Sequence, residues 1–206
     1  MFQKMCDIIP EGQSGNVKVK HFEVSRTESQ FTALRAIGGR DSFVSPGTYV
    51  HLYVGRHLMM SDTRMEKDSN KEVVCRAHGD VFIAGLGIGL ILAPILANPE
   101  VTSVTVVEKY HEVVELVEPA IRKLPGGEKL KVIEADILEW TPPKGQKWDV
   151  IYFDIWPDIC TDNLEEMTTL HRRFARRKNP GGWIESWQRK RLRVIRARER
   201  RHRGWW

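Results

Sequence analysis

Hydrophobic and polar positions follow two regimes along this chain. Val17 and Val19 alternate with Lys18 and Lys20, and Tyr49 to Val54 alternates throughout, so each predicts a strand with one face turned to a core. Gly55-Arg56 separates the second of these from His57-Leu58-Met59-Met60, and a two-residue link beginning with glycine suits a type II′ hairpin turn. Residues 61–78 are rich in charge and predict a helix from about Met65 to Arg76. Residues 1–16 show little periodicity around Pro10, Gly12 and Gly15 and read as a loose leading segment; residues 38–47, with three glycines and Pro46, read as a loop. The first 78 residues thus form a β-rich arm with a hairpin.

From Asp80 the pattern changes to strands alternating with helices, the order of a parallel, doubly wound α/β sheet. The predicted pieces are strand 80–86, helix 89–97, strand 101–108, helix 110–123, strands 131–135 and 148–154, helix 162–177 and strand 182–187. Pro94 argues against a straight first helix. The sheet is expected to stop after this fifth strand, giving a Rossmann-like domain over residues 79–188 followed by a basic tail, 189–206.

The candidate chemistry centres on Asp80 to Gly89, read as Asp-Val-Phe-Ile-Ala-Gly-Leu-Gly-Ile-Gly. Val81 to Ala84 fits a fully buried parallel strand. Gly85, Gly87 and Gly89 then remove side chains where the backbone turns and a ligand can approach the main chain. The pattern is G-x-G-x-G; Leu90 stands where the stricter dinucleotide fingerprint needs a small residue. The next strand ends on Glu108, 19 residues after Gly89, and a carboxylate at that tip is the usual partner of ribose hydroxyls. Together these features predict a nucleoside-containing ligand, and the absence of an obligatory Lys or Arg near the glycines suits one without phosphate.

Composition narrows the setting. The charged and apolar fractions are ordinary, and Cys6, Cys75 and Cys160 lie far apart with no C-x-x-C pair, so neither a zinc site nor a disulfide framework is indicated. No apolar run has signal-peptide or bilayer-spanning character, and the expectation is a cytoplasmic protein with no membrane partner. Formal net charge is +5, but residues 189–206 hold nine Lys/Arg against one Glu. That balance of +8 leaves −3 for residues 1–188.

Over residues 79–188 the chain resembles the class I S-adenosylmethionine-dependent methyltransferase superfamily. The resemblance rests on Gly85-Leu86-Gly87-Ile88-Gly89, Glu108, Glu134-Ala135-Asp136-Ile137, Trp148 to Asp154 and Asn179-Pro180-Gly181-Gly182-Trp183. Within it the spermidine synthase branch is most similar, because a β-rich arm precedes the glycine strand and Ile83 is apolar where most methyltransferases carry an acid. The resemblance implies that the glycine turn faces the methionine part of S-adenosylmethionine and Glu108 holds the ribose. It also implies that Asp136 accepts the adenine amine, that the Ile137 backbone lies near the ring, and that Asp154 faces the reacting centre. The chain departs from spermidine synthases at Ile88, where they carry Asp. Asp154-Ile155-Trp156-Pro157-Asp158 replaces their D-x-x-D-P, and Asn70 stands at an expected Tyr. Glu66 could stand for the acid their arm supplies. The usual last two strands are missing.

Each candidate has a plainer reading. Glu108 could be a solvated strand end, Asp136 a turn or cap residue, and Asp154 a cap. Trp156 either stacks on a planar substrate or covers the pocket. The expected function is S-adenosylmethionine-dependent methyl transfer to a small-molecule amine or hydroxyl acceptor, with Asp154 orienting or deprotonating it. Aminopropyl transfer and a non-catalytic cofactor- or nucleic-acid-binding protein are the alternatives. No metal is expected, and a homodimer is left open. In the tail, Leu192, Ile195 and Glu199 have near-helical spacing, which predicts either a nucleic-acid-binding basic helix, a disordered tail, or a helix packed on the acidic body.

Overall fold

The computed structural model describes residues 2–37 and 43–203. Residues 38–42 of the expected loop and 204–206 of the basic tail lie outside the described residues. The arm is a four-stranded antiparallel sheet in the order β1 (Gly12–Ser14), β2 (Val17–Val24), β3 (Gly47–Val54), β4 (His57–Ser61), with α1 (Arg26–Ile37) between β2 and β3. The turn between β3 and β4 is Gly55-Arg56, and only the glycine takes positive φ (+61°), as a II′ turn requires. After α2 (Arg64–Ser69) and α3 (Lys71–Arg76) the chain enters β5 (Gly79–Ala84), α4 (Leu92–Leu96), β6 (Val101–Glu108), α5 (His111–Ile121) and β7 (Leu130–Glu134). It continues through β8 (Trp148–Phe153), α6 (Asn163–Phe174), β9 (Lys178–Ser186) and α7 (Arg189–Arg203).

The second sheet has the order β7-β6-β5-β8-β9 and is parallel throughout. It is the expected Rossmann-like sheet, with β5 at its centre. There Val81 to Ala84 are all fully buried. Val81 and Ile83 point into a core shared with α4, α5 and the arm, while Phe82 and Ala84 point into a second core beneath α6 and α7. This two-faced burial is why the strand reads as a continuous apolar run. At roughly 1.5–3 kcal/mol for each large side chain taken out of water, such strands dominate the stability of the sheet. The arm joins the first core through Val17, Val19, Val50 and Leu52, and the Ser14 hydroxyl donates to Glu115 of α5 at 2.6 Å.

Several expectations need correction. The leading segment is not loose: Met5 and Ile9 are fully buried, and Met5 opens a short 3-10 turn. The helix expected at 89–97 is regular only over Leu92–Leu96, after a run of turns. Pro94 is its third residue, in a first turn whose N–H groups have no intrahelical acceptor, so the missing donor costs little there. The helix expected at 65–76 is two helices, broken at Asn70. The buried Asn70 amide donates to the Glu66 carbonyl (3.2 Å), and its oxygen accepts the Tyr152 hydroxyl (2.8 Å), so a contact across 82 positions interrupts the helix. β9 begins at Lys178 rather than 182, with a register shift opposite Trp148 and Val150. Helix α1 was not expected at all, yet it carries a capping box: Glu28 N–H donates to Ser25 Oγ (3.2 Å) and Ser25 N–H to Glu28 Oε2 (2.8 Å).

The basic tail is helical as far as Arg203. Leu192 is fully buried in the second core and Ile195 is half-buried at its margin. α7 packs beside α6, and among the described residues no strand pairs with the outer edge of β9.

Candidate functional site

The carboxyl ends of β5, β6, β7 and β8 face the β3–β4 hairpin of the arm across a cavity of about 660 Å³. Open parallel sheets place ligand sites there because their crossovers diverge at that end. Gly85, Gly87, Glu108, Asp136, Ile137, Asp154, Trp156 and Glu66 all contribute to its lining. Gly89 does not. With φ at +72°, it lies where a Cβ would collide with Ile121 of α5, so close packing against that helix requires a glycine there. Gly87 differs: a Cβ there would run into Met60 Sδ, from β4. The same sulfur accepts the Ile88 N–H at 3.2 Å. The hairpin therefore rests a thioether on the glycine turn, a contact invisible in the local pattern around either residue.

Glu108 ends β6 and is only 7% exposed. Its Oε2 accepts the Leu86 N–H (2.7 Å) and its Oε1 the Tyr110 N–H (2.9 Å), so the carboxylate ties the strand end to the glycine turn. Burial pushes its pKa up, and the surrounding backbone N–H groups pull against that rise. Each oxygen keeps a further lone pair for a ligand hydroxyl. Asp136 follows β7. Its Oδ2 accepts Lys109 Nζ (2.8 Å) and its Oδ1 the Leu138 N–H (2.9 Å), and these two bonds, Lys109 first, hold its pKa below the usual range. It is thus a turn residue and a member of the cavity wall together. Ile137 is buried, and its carbonyl, with those of Leu138 and Trp140, accepts from the Arg173 guanidinium of α6. Arg173 clamps this wall from more than 30 positions away; no local signal marks it.

The opposite wall is built differently. Asp154 follows β8, its N–H donating to the Ala84 carbonyl (2.8 Å). Burial, and then the nearby Glu66, push its carboxyl up to about 8. Glu66, on α2, is 8% exposed and is pushed up to about 7 by burial, partly offset by the Ser61 N–H. Two carboxyls, one following β8 and one on α2, therefore line one cavity, and Glu66 disfavours the charge of Asp154. Trp156 is buried beside them, its Nε1–H donating to Glu166 of α6 at 2.9 Å. Trp187, which precedes α7, completes this wall and donates from Nε1 to Ser69 Oγ at 3.0 Å; the sequence reading missed it. Asn70, at the position where an amine-site Tyr was sought, is a buried structural residue outside the cavity lining.

Among the described residues no group of three His, Cys, Asp or Glu side chains is placed to hold a metal ion, and no helix is long and apolar enough to cross a membrane.

Neither a protein-family model nor a curated protein matches this chain. Solved structures are similar to part of the chain. They include the CcbJ methyltransferase from Streptomyces caelestis (19% identity over 58% of this chain and 48% of that one, TM-score 0.48). Another is the N-methyltransferase NodS from Bradyrhizobium japonicum WM9 (13%, 61% and 68%, 0.46). A third is spermidine synthase from Thermotoga maritima (18%, 71% and 47%, 0.45). The chain spans about half the length of the first and third of these.

Proposed function

We propose that this protein is an S-adenosylmethionine-dependent methyltransferase acting on an amine or hydroxyl acceptor. The observation that carries the reading is one cavity joining the glycine turn, the ribose-type carboxylate Glu108 and the protonatable Asp154. Its volume, about 660 Å³, lies within the range of small-molecule sites. The residues fit the cofactor: Gly87 leaves room for a ligand close to the main chain, Glu108 has lone pairs left for ribose hydroxyls, and Asp136 and the Ile137 backbone lie on the next strand end, where the adenine belongs. Met60 must move aside for the methionine portion, since its sulfur rests on Gly87.

When bound, S-adenosylmethionine supplies a methyl group on a sulfonium, an electrophile with its leaving group attached. The residues have three tasks. Glu108 and the glycine turn fix the nucleoside; Trp156 and Trp187 help keep water out; Asp154 aligns the acceptor and takes its proton. A carboxyl with pKa near 8 is matched to that proton transfer at neutral to mildly alkaline pH.

Glu66 favours a second reading. Its presence beside Asp154 gives the acceptor end two acids, which suits a cationic amine and therefore aminopropyl transfer from decarboxylated cofactor. One experiment separates the readings: incubation with either cofactor form and a panel of amines and alcohols, followed by mass spectrometry of all cofactor-derived products. Methylated acceptor with S-adenosylhomocysteine supports the proposal. Methylthioadenosine with spermidine from putrescine supports the second reading, and no heat on titration with either cofactor up to millimolar concentration would sink both.

A further inference from the structure

The cavity leaves the most highly charged element unused. Among the described residues, the first half of α7 is tied to the body by Arg189 to Glu185 (3.6 Å) and Lys190 to Glu72 (2.6 Å), and by Leu192 and Ile195 in the second core. Beyond that, Arg191, Arg193, Arg196, Arg198, Arg200 and Arg201 are exposed, and among the described residues none is in an ion pair. Glu199 is the one acid in the helix.

That arrangement stores repulsion. Arg189 and Arg193, and again Arg196 and Arg200, stand four apart, where like charges destabilise a helix. Cations also fill the first turn, with no acid there, against the positive end of the helix dipole. A bound polyanion relieves both. Because Leu192 and Ile195 face inward, the outward surface offers little besides Val194 (52% exposed) and Ala197 to enter a bilayer. Among residues 189–201 it carries no aromatic side chain on which unpaired bases could stack. From Arg191 to Arg201 the helix extends about 15 Å at its normal rise, enough to meet several phosphates of a duplex.

We propose that the exposed arginine face of α7 is a docking surface for the phosphate backbone of double-stranded nucleic acid, with little sequence preference. The surface uses no cavity residue, so it stands or falls apart from the methyltransferase reading.

The test uses the full chain and a fluorescein-labelled mixed-sequence duplex DNA, followed by anisotropy. Six phosphate contacts lower affinity about 10³-fold between roughly 50 and 200 mM salt. The variant R191Q/R196Q/R198Q/R200Q spares Leu192 and Ile195; it should show a much shallower salt slope and at least ~10²-fold weaker binding at low salt. K20Q/K131Q/K144Q/K147Q removes the same charge from exposed body positions and should bind as the parent does. Equal losses in the two variants would trace binding to net charge and overturn the proposal. So would parental binding that ignores salt, or binding to phosphatidylserine vesicles without binding to duplex. Melting curves confirm that the variants fold, and the parental salt slope decides the question even if one does not.

Discussion

The two walls of the cavity each present a pair of carboxyl groups, and the pairs differ in how they are held: burial raises the pKa of Glu108, Asp154 and Glu66 alike, but fixed hydrogen bonds pull Asp136 down and oppose the rise at Glu108. On the β6–β7 side Glu108 and Asp136 accept four hydrogen bonds within the protein, from three backbone N–H groups and one lysine. On the β8–arm side burial pushes Asp154 and Glu66 up to about 8 and about 7. Carboxyl groups held by fixed donors can serve as anchors, because their direction is set before a ligand arrives. Carboxyls left in apolar surroundings exchange protons near neutral pH, which is the property a general base needs. Under the proposed function, the first wall holds the cofactor and the second meets the acceptor.

The sharpest way to break this contrast is Asp154→Asn. Turnover should fall about 10²–10⁴-fold while cofactor affinity stays within about threefold, measured by product formation and calorimetry. The pH profile sharpens it further: parental kcat/KM should rise as pH approaches about 8, where Asp154 loses its proton, and that limb should be absent from the variant. Equal turnover in the variant would reduce Asp154 to a cap.

Glu108→Ala is the converse. It should weaken cofactor binding by about 1–3 kcal/mol, the loss of charge-assisted hydrogen bonds, whereas the turnover of saturated enzyme changes far less.

A third test reads the reactive wall through stability. Both folded-state pKa values are raised, so the native state binds more protons than the unfolded chain between the ordinary carboxyl range and about pH 8. The stability held by the neutral carboxyls is complete below about pH 4 and is lost as pH rises through about 7 and 8. The melting temperature should therefore decline across that window, and Glu66→Gln should flatten the decline. It should also shift the kinetic limb of Asp154 to lower pH, since Glu66 is one cause of its rise. An unchanged limb would mean that the two acids do not communicate.

The smallest effect is expected at the hinge between walls. Met60→Ala removes the sulfur resting on Gly87 and the bond from Ile88, and should tighten cofactor binding by about 0.5–1.5 kcal/mol. Weaker binding would show instead that the thioether forms part of the bound site.

Legibility in the sequence divides along the same line. The cavity positions of Gly85, Gly87 and Glu108 could be read because strand, turn, helix and acidic tip succeed one another over short distances, whereas Asp136 was reached only through the family resemblance. The II′ hairpin was legible for the same reason, and the α1 capping box Ser25 to Glu28 was legible but not used. Arg173, Trp187 and Met60 were not, because each acts on residues 28 to 118 positions away. The break at Asn70 was hidden likewise, since the hydroxyl that holds it belongs to Tyr152.

What the sequence determined alone was the alternation of strands and helices from Asp80 onward, a parallel sheet, and the glycine turn with its carboxylate, all consequences of hydrophobic period and backbone freedom. The tertiary structure decided that Gly89 packs against Ile121, that Glu66 and Asp154 meet in one cavity, and that Leu192 turns inward and leaves the arginines out. Those outcomes depend on which surfaces come together when the two sheets share a core, and a one-dimensional pattern does not carry that contact.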